Sequence, residues 1–220
     1  MTTALVTGAN KGIGFEIVKQ LIAEGMDVHL GARDVERGEK AAADAGARFV
    51  QLDVTDPESV RRAAASLDGL DVLVNNAGIT GGSWGPENIR EVFETNVFGV
   101  IAVTDALLPL LRQSAHGRIV NVSSSVGSLA AMIDSPAPPS FSYTPSKTAL
   151  NAVTVLYART LADTPIKVNA VCPGYCATDL NNHGGHRTPA QGARIAVKMA
   201  TLGDDGPTGG FYDDEGVVAW

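Results

Sequence analysis

Short apolar runs rich in Val, Ile and Leu alternate with longer amphipathic stretches along most of the chain. A short apolar run predicts a buried strand, whereas apolar residues spaced three and four apart predict a helix. The predicted strands are residues 2–7, 28–32, 48–52, 71–75, 118–123, 166–171 and 210–212. The predicted helices are residues 12–25, 35–45, 57–67, 87–114, 143–162 and 189–202.

This alternation predicts an α/β fold with a parallel sheet of about seven strands and helices on both faces, because strands apolar on both sides must be covered twice. The apolar share of 45% and the length of 220 residues suit one domain, residues 1–220. The least regular segment, residues 128–142, contains Pro136, Pro138 and Pro139. We expect it to form a loop beside the site, since it leads directly into Tyr143.

The composition excludes several classes of protein. The net charge of -7 lacks the basic footprint of a nucleic-acid binder. We expect no membrane span, no signal peptide and a cytoplasmic location, since no apolar run approaches the roughly 20 residues that cross a bilayer. Cys172 and Cys176 could be read as zinc ligands, but two further ligands at suitable spacing are lacking, and His183 and His186 suit a solvated loop. We therefore predict no metal.

A glycine-rich turn follows the first strand and opens the first helix. Residues 8–14 read Gly-Ala-Asn-Lys-Gly-Ile-Gly. Glycines let the backbone approach a pyrophosphate, and the helix N-terminus offers free N–H groups. The position between strand and helix favours dinucleotide binding over a purely structural loop. The candidate residues are Gly8, Asn10, Lys11, Gly12, Ile13 and Gly14.

The end of the second strand bears on the choice of cofactor. An acid there would bind a ribose 2′-hydroxyl, whereas an arginine suits a 2′-phosphate. Ala32 takes the place of the acid, Arg33 follows, and Lys11 adds a second cation, so the sequence predicts NADP(H). In the alternative interpretation Arg33 is a surface residue paired with Asp34 or Glu36.

Other polar and glycine residues follow further strands. Asp53, Asn76, Ser124 and the pair Pro173–Gly174 each come directly after a predicted strand. Ligands of parallel sheets bind beyond the carboxyl ends of the strands, so these residues are expected to converge on one site.

Tyr143 and Lys147 stand four residues apart at the start of a predicted helix. Positions i and i+4 share a helix face, and a nearby ammonium favours the phenolate. Such a phenol could give its proton to a carbonyl oxygen near neutral pH. The alternative is a half-exposed helix start with a solvated lysine.

Read together, these motifs resemble the short-chain dehydrogenase/reductase family. The resemblance rests on the residues Thr7 to Gly14, Asn75 to Gly78, Asn96, Ser123–Ser124, Tyr143 to Lys147, and Pro173–Gly174 with Thr178. It implies a single-domain Rossmann fold. Lys11 in the glycine turn and the run 172–179 are most similar to the carbonyl reductase branch of the family.

The resemblance also implies a role for each position. Tyr143 would be the general acid, Lys147 would hold the nicotinamide ribose and lower the pKa of Tyr143, Ser124 would orient the carbonyl, and Asn96 would position a water. Tyr175, with Ser124 and Tyr143, would face the substrate. The cofactor would further contact Leu52, Asp53, Val54, Asn76, Ala77, Gly78, Tyr143, Lys147, Pro173, Gly174, Cys176 and Thr178.

The function implied is NADPH-dependent reduction of ketones and aldehydes such as ketoesters, diketones and quinones. The alternatives are an NAD-dependent alcohol or steroid dehydrogenase and a non-catalytic NADP(H) redox sensor. Two departures from the family pattern are a longer gap between Ser124 and Tyr143 and a short segment after Thr178, which suggests an open pocket. The partner is expected to be a small carbonyl substrate, and the sequence leaves monomer, dimer and tetramer open.

Overall fold

The computed structural model describes residues 1–82, 88–134 and 139–220. Its seven strands are all parallel and form one sheet in the order β3-β2-β1-β4-β5-β6-β7. The predicted α/β sheet is confirmed. The strands are β1 Thr3–Val6, β2 Asp27–Ala32, β3 Arg48–Gln51, β4 Val72–Asn75, β5 Arg118–Val122, β6 Lys167–Val171 and β7 Phe211–Tyr212.

Helices cover both faces of this sheet. One buried cluster joins α1, α2 and α8 to side chains such as Val6 and Leu30, and a second joins α3, α5 and α7 to side chains such as Leu5 and Leu73. Neighbouring residues of a strand point to opposite faces, so strands such as β1 and β4 contribute to both clusters. The helices are α1 Gly12–Ala23, α2 Val35–Ala45, α3 Pro57–Ala65, α4 Ile89–Phe93, α5 Gly99–Leu111, α6 Leu129–Met132, α7 Tyr143–Thr160 and α8 Pro189–Ala200.

Side chains at the N-caps fix where several helices begin. Asp34 accepts a hydrogen bond from the backbone N–H of Arg37, and Asp56 accepts one from Glu58, each at 2.9 Å. Thr188 caps α8 in the same way and Gln191 bonds back to it. Each such bond satisfies a backbone donor that the first turn leaves unpaired.

The long helix predicted over residues 87–114 is not one regular helix. Position 87 lies outside the described residues, and a π-helical segment, Glu94–Phe98, separates α4 from α5. Taken together, the 23 residues Ile89–Leu111 are long and apolar enough to span a bilayer, which corrects the expectation that no stretch is. Of its most apolar window 44% is buried inside the protein, and one helix of this length and composition is weak evidence of a membrane span.

A chain of buried polar groups lies between the sheet and the helices α5 and α7. The amide of Asn75 donates to Thr104 at 3.1 Å and to Asn121 at 2.9 Å, and the amide of Asn121 donates to Thr154 at 2.9 Å. Asn75 and Asn121 are register partners on neighbouring strands. We call these four residues the polar column; it links the middle of the sheet to the helix that begins at Tyr143.

The segment 128–142 is less irregular than predicted, since its first residues form the short helix α6. Ser128 caps this helix by accepting a hydrogen bond from the N–H of Ala131 at 3.1 Å. Pro136 and Pro138 lie outside the described residues.

Candidate active site

The glycine turn between β1 and α1 has no room for a side chain at Gly8 or Gly14. Gly8 and Gly12 have φ of +61° and +60°, which favours glycine. A Cβ on Gly8 would lie 2.8 Å from the Cα of Ala77, and one on Gly14 would lie 2.4 Å from Nδ2 of Asn76. The backbone at this turn is therefore bare and close to the helix N-terminus, a cradle that fits a dinucleotide pyrophosphate.

Asn76 and Thr7 hold the glycine turn against the end of β4. The amide of Asn76 donates to the carbonyl oxygens of Thr7 at 2.9 Å and Gly8 at 3.1 Å. The hydroxyl of Thr7 accepts from the N–H groups of Asn76 and Ala77, both at 3.0 Å. The predicted ligand Asn76 thus also shapes the cradle through its side chain.

Tyr143 is the first residue of α7, where its N–H donates to the hydroxyl of Ser140 at 3.1 Å. One turn later, Lys147 is 4% exposed, and its Nζ lies 5.6 Å from the centre of the Tyr143 ring. This ammonium donates to the carbonyl oxygen of Val122 at 2.8 Å. The helix places both groups on one face, as their spacing predicts.

The chain's own groups set the pKa of this pair in an unexpected direction. Burial raises the pKa of Tyr143 to about 12, although a polar contact with the Ser124 hydroxyl lowers it. Burial likewise lowers the pKa of Lys147 to about 8. In the chain by itself, the pKa of Tyr143 is raised rather than lowered, because the loss of hydration dominates. The effect of Lys147 on Tyr143 stays a prediction. The phenol therefore keeps its proton at neutral pH.

The order of the two serines after β5 explains which hydroxyl is available. Ser123 is 2% exposed and donates to Oδ1 of Asn151 at 2.6 Å. Asn151 in turn donates to the carbonyl oxygen of Gly127 at 3.2 Å, which fixes the turn that carries Ser125. Ser124 lines the cleft beside the phenol of Tyr143, as its assignment requires.

Asn96 is fully buried within the π-helical segment. Its amide oxygen accepts from the N–H of Ile79 at 2.9 Å, and its amide nitrogen donates to the carbonyl oxygen of Ile79 at 2.9 Å and to Ser146 at 3.0 Å. Ser146 donates onward to the carbonyl oxygen of Tyr143 at 2.7 Å. Asn96 therefore ties the end of β4 to the first turn of α7, a positioning contact that sequence reasoning missed.

A cleft of about 850 Å³ opens at the carboxyl ends of β1, β4, β5 and β6. It brings together many of the predicted residues: Ile13, Asn76, Gly78, Ser124, Tyr143, Lys147, Pro173, Gly174, Tyr175, Cys176 and Thr178. Further lining residues that the sequence did not single out include Thr80, Val126, Thr144, Leu180 and Asn182. Several of these residues stand close in sequence to Ser124, Tyr143 or Thr178, and this proximity could have identified them.

A second groove, of about 460 Å³, lies on the outer side of the glycine turn. Asn10 and Lys11 line it together with Arg37 and Lys40 of α2. Lys11 is not free there, since its Nζ lies 2.6 Å from Oδ2 of Asp179. One of the two cations that the sequence assigns to a 2′-phosphate is therefore paired with an acid from another part of the chain. Arg37 and Lys40 were missed, although they stand one and two helical turns beyond Arg33.

The residues after β2 and β3 have their own contacts. Asp34 pairs with Arg37 at 3.7 Å rather than with the exposed Arg33. Asp53 accepts hydrogen bonds from the N–H and hydroxyl of Thr55 at 2.9 and 2.7 Å, and its neighbours Leu52 and Val54 are buried. Of the residues that the structure describes, those lining the large cleft do not include Arg33, Leu52, Asp53 or Val54.

Residues 175–187 form a loop, the post-β6 loop, on one side of the cleft. Two backbone bonds close its base, from Ala177 to Arg187 at 2.8 Å and from Arg187 to Tyr175 at 3.1 Å. Tyr175 is 54% exposed, in line with a place at the cleft mouth. The thiol of Cys176 lies 3.3 Å from the carbonyl oxygen of Pro173, and the sulfur of Cys172 accepts from the N–H of Ser125 at 3.2 Å.

A family model described as short chain dehydrogenase matches residues 2–188. The chain belongs to the short-chain dehydrogenase family. Among similar proteins, salutaridine reductase of Papaver bracteatum is 35% identical over 97% of this chain and 94% of its own length. Carbonyl reductase [NADPH] 1 of Rattus norvegicus is 34% identical over 99% of this chain and 98% of its own length.

Solved structures of the short-chain dehydrogenase family agree with the fold. An NADPH-bound carbonyl reductase from chicken fatty liver superimposes with a TM-score of 0.89 at 30% identity, covering 100% of this chain and 99% of that one. The chain is thus an oxidoreductase that acts on carbonyl or alcohol groups, and the predicted family is confirmed.

Proposed function

We propose that this short-chain dehydrogenase is an NADPH-dependent reductase of ketones and aldehydes, with Tyr143 as the proton donor. The observation that carries the proposal is the arrangement in one cleft of Ser124, Tyr143 and Lys147, in which the phenol is kept protonated. A reductase needs a proton at this place, whereas a dehydrogenase needs a base. A phenol that is protonated at neutral pH can serve as that donor.

Reduced nicotinamide, when bound, supplies the hydride, and the remaining work falls to the chain's own side chains. The Tyr143 hydroxyl gives its proton to the carbonyl oxygen, and the Ser124 hydroxyl donates a hydrogen bond to the same oxygen. Both stabilise the negative charge that develops there. Lys147 has a pKa of about 8 and is charged below that pH. A hydrogen bond to Val122 holds its ammonium close to the phenol, where the positive charge stabilises the phenolate of Tyr143.

The glycine turn and the second groove beside it would hold the cofactor. Gly8, Gly12 and Gly14 leave the backbone open to a pyrophosphate, while Gly78 leaves space beside Lys147, since a Cβ there would lie 3.6 Å from Nζ. Arg33, Lys11 and Arg37 offer cations for a 2′-phosphate. Asp53, with Leu52 and Val54, would meet the adenine, and Pro173, Gly174 and Thr178 the nicotinamide end. A relative named for NADPH supports the same choice.

The outer part of the cleft suggests the kind of carbonyl compound. Val126, Tyr175 and Leu180 present apolar surface, and Thr80 and Thr144 add a few hydroxyls. Such a wall suits ketoesters, diketones and quinones rather than sugars. Cytoplasmic location and the choice among monomer, dimer and tetramer stay predictions.

One observation favours an NAD-dependent alcohol dehydrogenase as the second candidate. Asp179 occupies Lys11, which weakens the attraction for a 2′-phosphate. The retained Tyr143 and Lys147 argue against a non-catalytic redox sensor.

The deciding experiment follows the near-ultraviolet absorbance of NADPH and NADH while the protein meets a panel of ketoesters, diketones and quinones. We expect faster oxidation of NADPH, and a loss of turnover of about 10²–10⁴ in Tyr143→Phe with NADPH binding retained. Tyr212→Phe, outside the cleft, is the matched control and should keep full turnover. Preferential use of NADH would support the second candidate, and unimpaired Tyr143→Phe would remove this phenol from the mechanism.

A further inference from the structure

The ion pair between Lys11 and Asp179 joins two segments 168 positions apart in sequence. Lys11 is the N-cap of α1, within the glycine turn, and Asp179 begins a short turn of 3₁₀ helix in the post-β6 loop. Their side chains are 57% and 55% exposed and line the same groove as Arg37 and Lys40. The charged residues that line the groove are thus three cations, Lys11, Arg37 and Lys40, and two acids, Asp44 and Asp179.

We propose that Asp179 is an internal competitor for the cofactor's 2′-phosphate, an acid that holds Lys11 until a phosphate displaces it. The proposal rests on the proposed use of NADP(H), and it assigns a specificity role to a residue outside the glycine turn and the end of β2. A phosphate can bind Lys11 in the same way as a carboxylate, because both present anionic oxygens to its ammonium.

Among the described residues, each of the three cations in this groove pairs with one acid, and the partner of Lys11 is Asp179. Lys40 is bound to Asp44 of its own helix at 2.8 Å, and Arg37 to Asp34 at 3.7 Å, both within one helical turn. Those partners are held on α2 with their cations. Asp179 alone of these acids comes from another part of the chain, so it is the one that can leave the groove with its loop.

The post-β6 loop is built so that its tip can move. Its base is tied by the two backbone bonds between residues 175–177 and Arg187, and by the ion pair of Arg187 with Asp214. Of the hydrogen bonds made by described residues, those of residues 178–186 stay within the loop except for the bond from Lys11 to Asp179. Displacement of Asp179 therefore frees the tip, which carries Leu180 and Asn182 at the cleft.

His183 keeps Asp179 from being left without a partner after displacement. Its Nε2 lies 2.9 Å from Oδ1 of Asp179 within the same loop. The carboxylate therefore remains hydrogen-bonded when Lys11 turns to a phosphate. Lys11 and His183 also hold the pKa of Asp179 below its usual range, so the competitor is charged at neutral pH.

The test uses two probes that differ only in the phosphate, 2′,5′-ADP and 5′-AMP, titrated calorimetrically into the full chain. An exposed ion pair is weak, so Asp179→Asn should bind 2′,5′-ADP about two- to five-fold more tightly, with 5′-AMP nearly unchanged. Glu58→Gln, which removes an equally exposed acid from α3, is the charge-matched control and should change neither. Unchanged or weaker binding of 2′,5′-ADP by Asp179→Asn would overturn the proposal.

A second background separates competition from simple repulsion. In Lys11→Met the gain from Asp179→Asn should vanish, because no ammonium is left to release; a gain that persists shows repulsion at a distance and refutes the competitor role. Amide exchange of residues 178–184 should be accelerated by 2′,5′-ADP and not by 5′-AMP, and equal exchange with both contradicts release of the tip. If the unaltered chain binds both probes equally, NADP(H) use itself fails, and with it the proposal.

Discussion

Replacement of Asn96 by Ala should destabilise the protein more than the loss of any one hydrogen bond would. Asn96 is fully buried and makes three bonds, two to the backbone of Ile79 and one to Ser146. Truncation leaves the N–H and the C=O of Ile79 without partners. Each unpaired buried group costs about 1–3 kcal/mol, so the expected loss is about 2–6 kcal/mol. That is a large part of the roughly 5–15 kcal/mol that stabilises a typical domain.

Urea denaturation without any ligand measures this loss directly, as a lower midpoint at an unchanged slope. Ser146→Ala is the matched control, since it removes one of the three partners and leaves the Ile79 pairs intact. We expect it to lower the free energy of unfolding by only about 1 kcal/mol. A loss in Asn96→Ala of less than about 1 kcal/mol, or no greater than that of Ser146→Ala, would refute the reasoning that Asn96 is the tie between β4 and α7.

Two further predictions concern the cofactor and the pH. Arg33→Asp should shift the ratio of affinities for NADPH and NADH toward NADH, because a carboxylate at the end of β2 accepts from a ribose hydroxyl and repels a phosphate; an unchanged ratio in fluorescence titrations would show that Arg33 does not contact the phosphate. Burial lowers the pKa of Lys147 to about 8 from 10.5, so between these values the folded state binds fewer protons than the unfolded state. The free energy of unfolding should therefore rise with pH in this window, by up to about 3 kcal/mol relative to that of Lys147→Met. Below a pH of about 8, Lys147 should add no pH dependence to the free energy of unfolding. Parallel pH profiles of the two proteins in urea melts would contradict this.

Much of the fold follows from the sequence because local patterns determine it. The strands around Leu5, Val74 and Val168 are apolar on both faces, and these apolar runs are too short to form helices. Helix starts at Asp34, Asp56 and Thr188 carry the capping residues that physics requires. Convergence of Asn76, Ser124 and Gly174 on one cleft then follows from the parallel order of the strands.

What the sequence did not predict depends on long-range contacts. The run Glu94–Phe98 has no residue type that distinguishes a π-helical from an α-helical turn. Its wider turn accompanies two long-range contacts, the packing of Val54 against Gly99 and the hydrogen bonds of Asn96 to Ile79. The pairing of Lys11 with Asp179 needs the post-β6 loop to fold back.

The pKa of Tyr143 shows the same limit in electrostatic terms. Spacing alone predicts a nearby ammonium, and the ammonium of Lys147 is indeed one turn away. How far the surrounding protein strips water from the phenol is a property of the whole fold, and here it decides the direction of the shift.

The polar column also restricts how this protein can change by mutation. Asn75, Thr104, Asn121 and Thr154 satisfy one another, so an apolar residue at any one position leaves a neighbour unpaired in the core. Replacing all four with apolar side chains of matched volume removes that penalty, so the effects of single and joint substitutions do not add. Single substitutions in the polar column should therefore lower stability even where a joint substitution does not. A directed-evolution library should vary the four codons together.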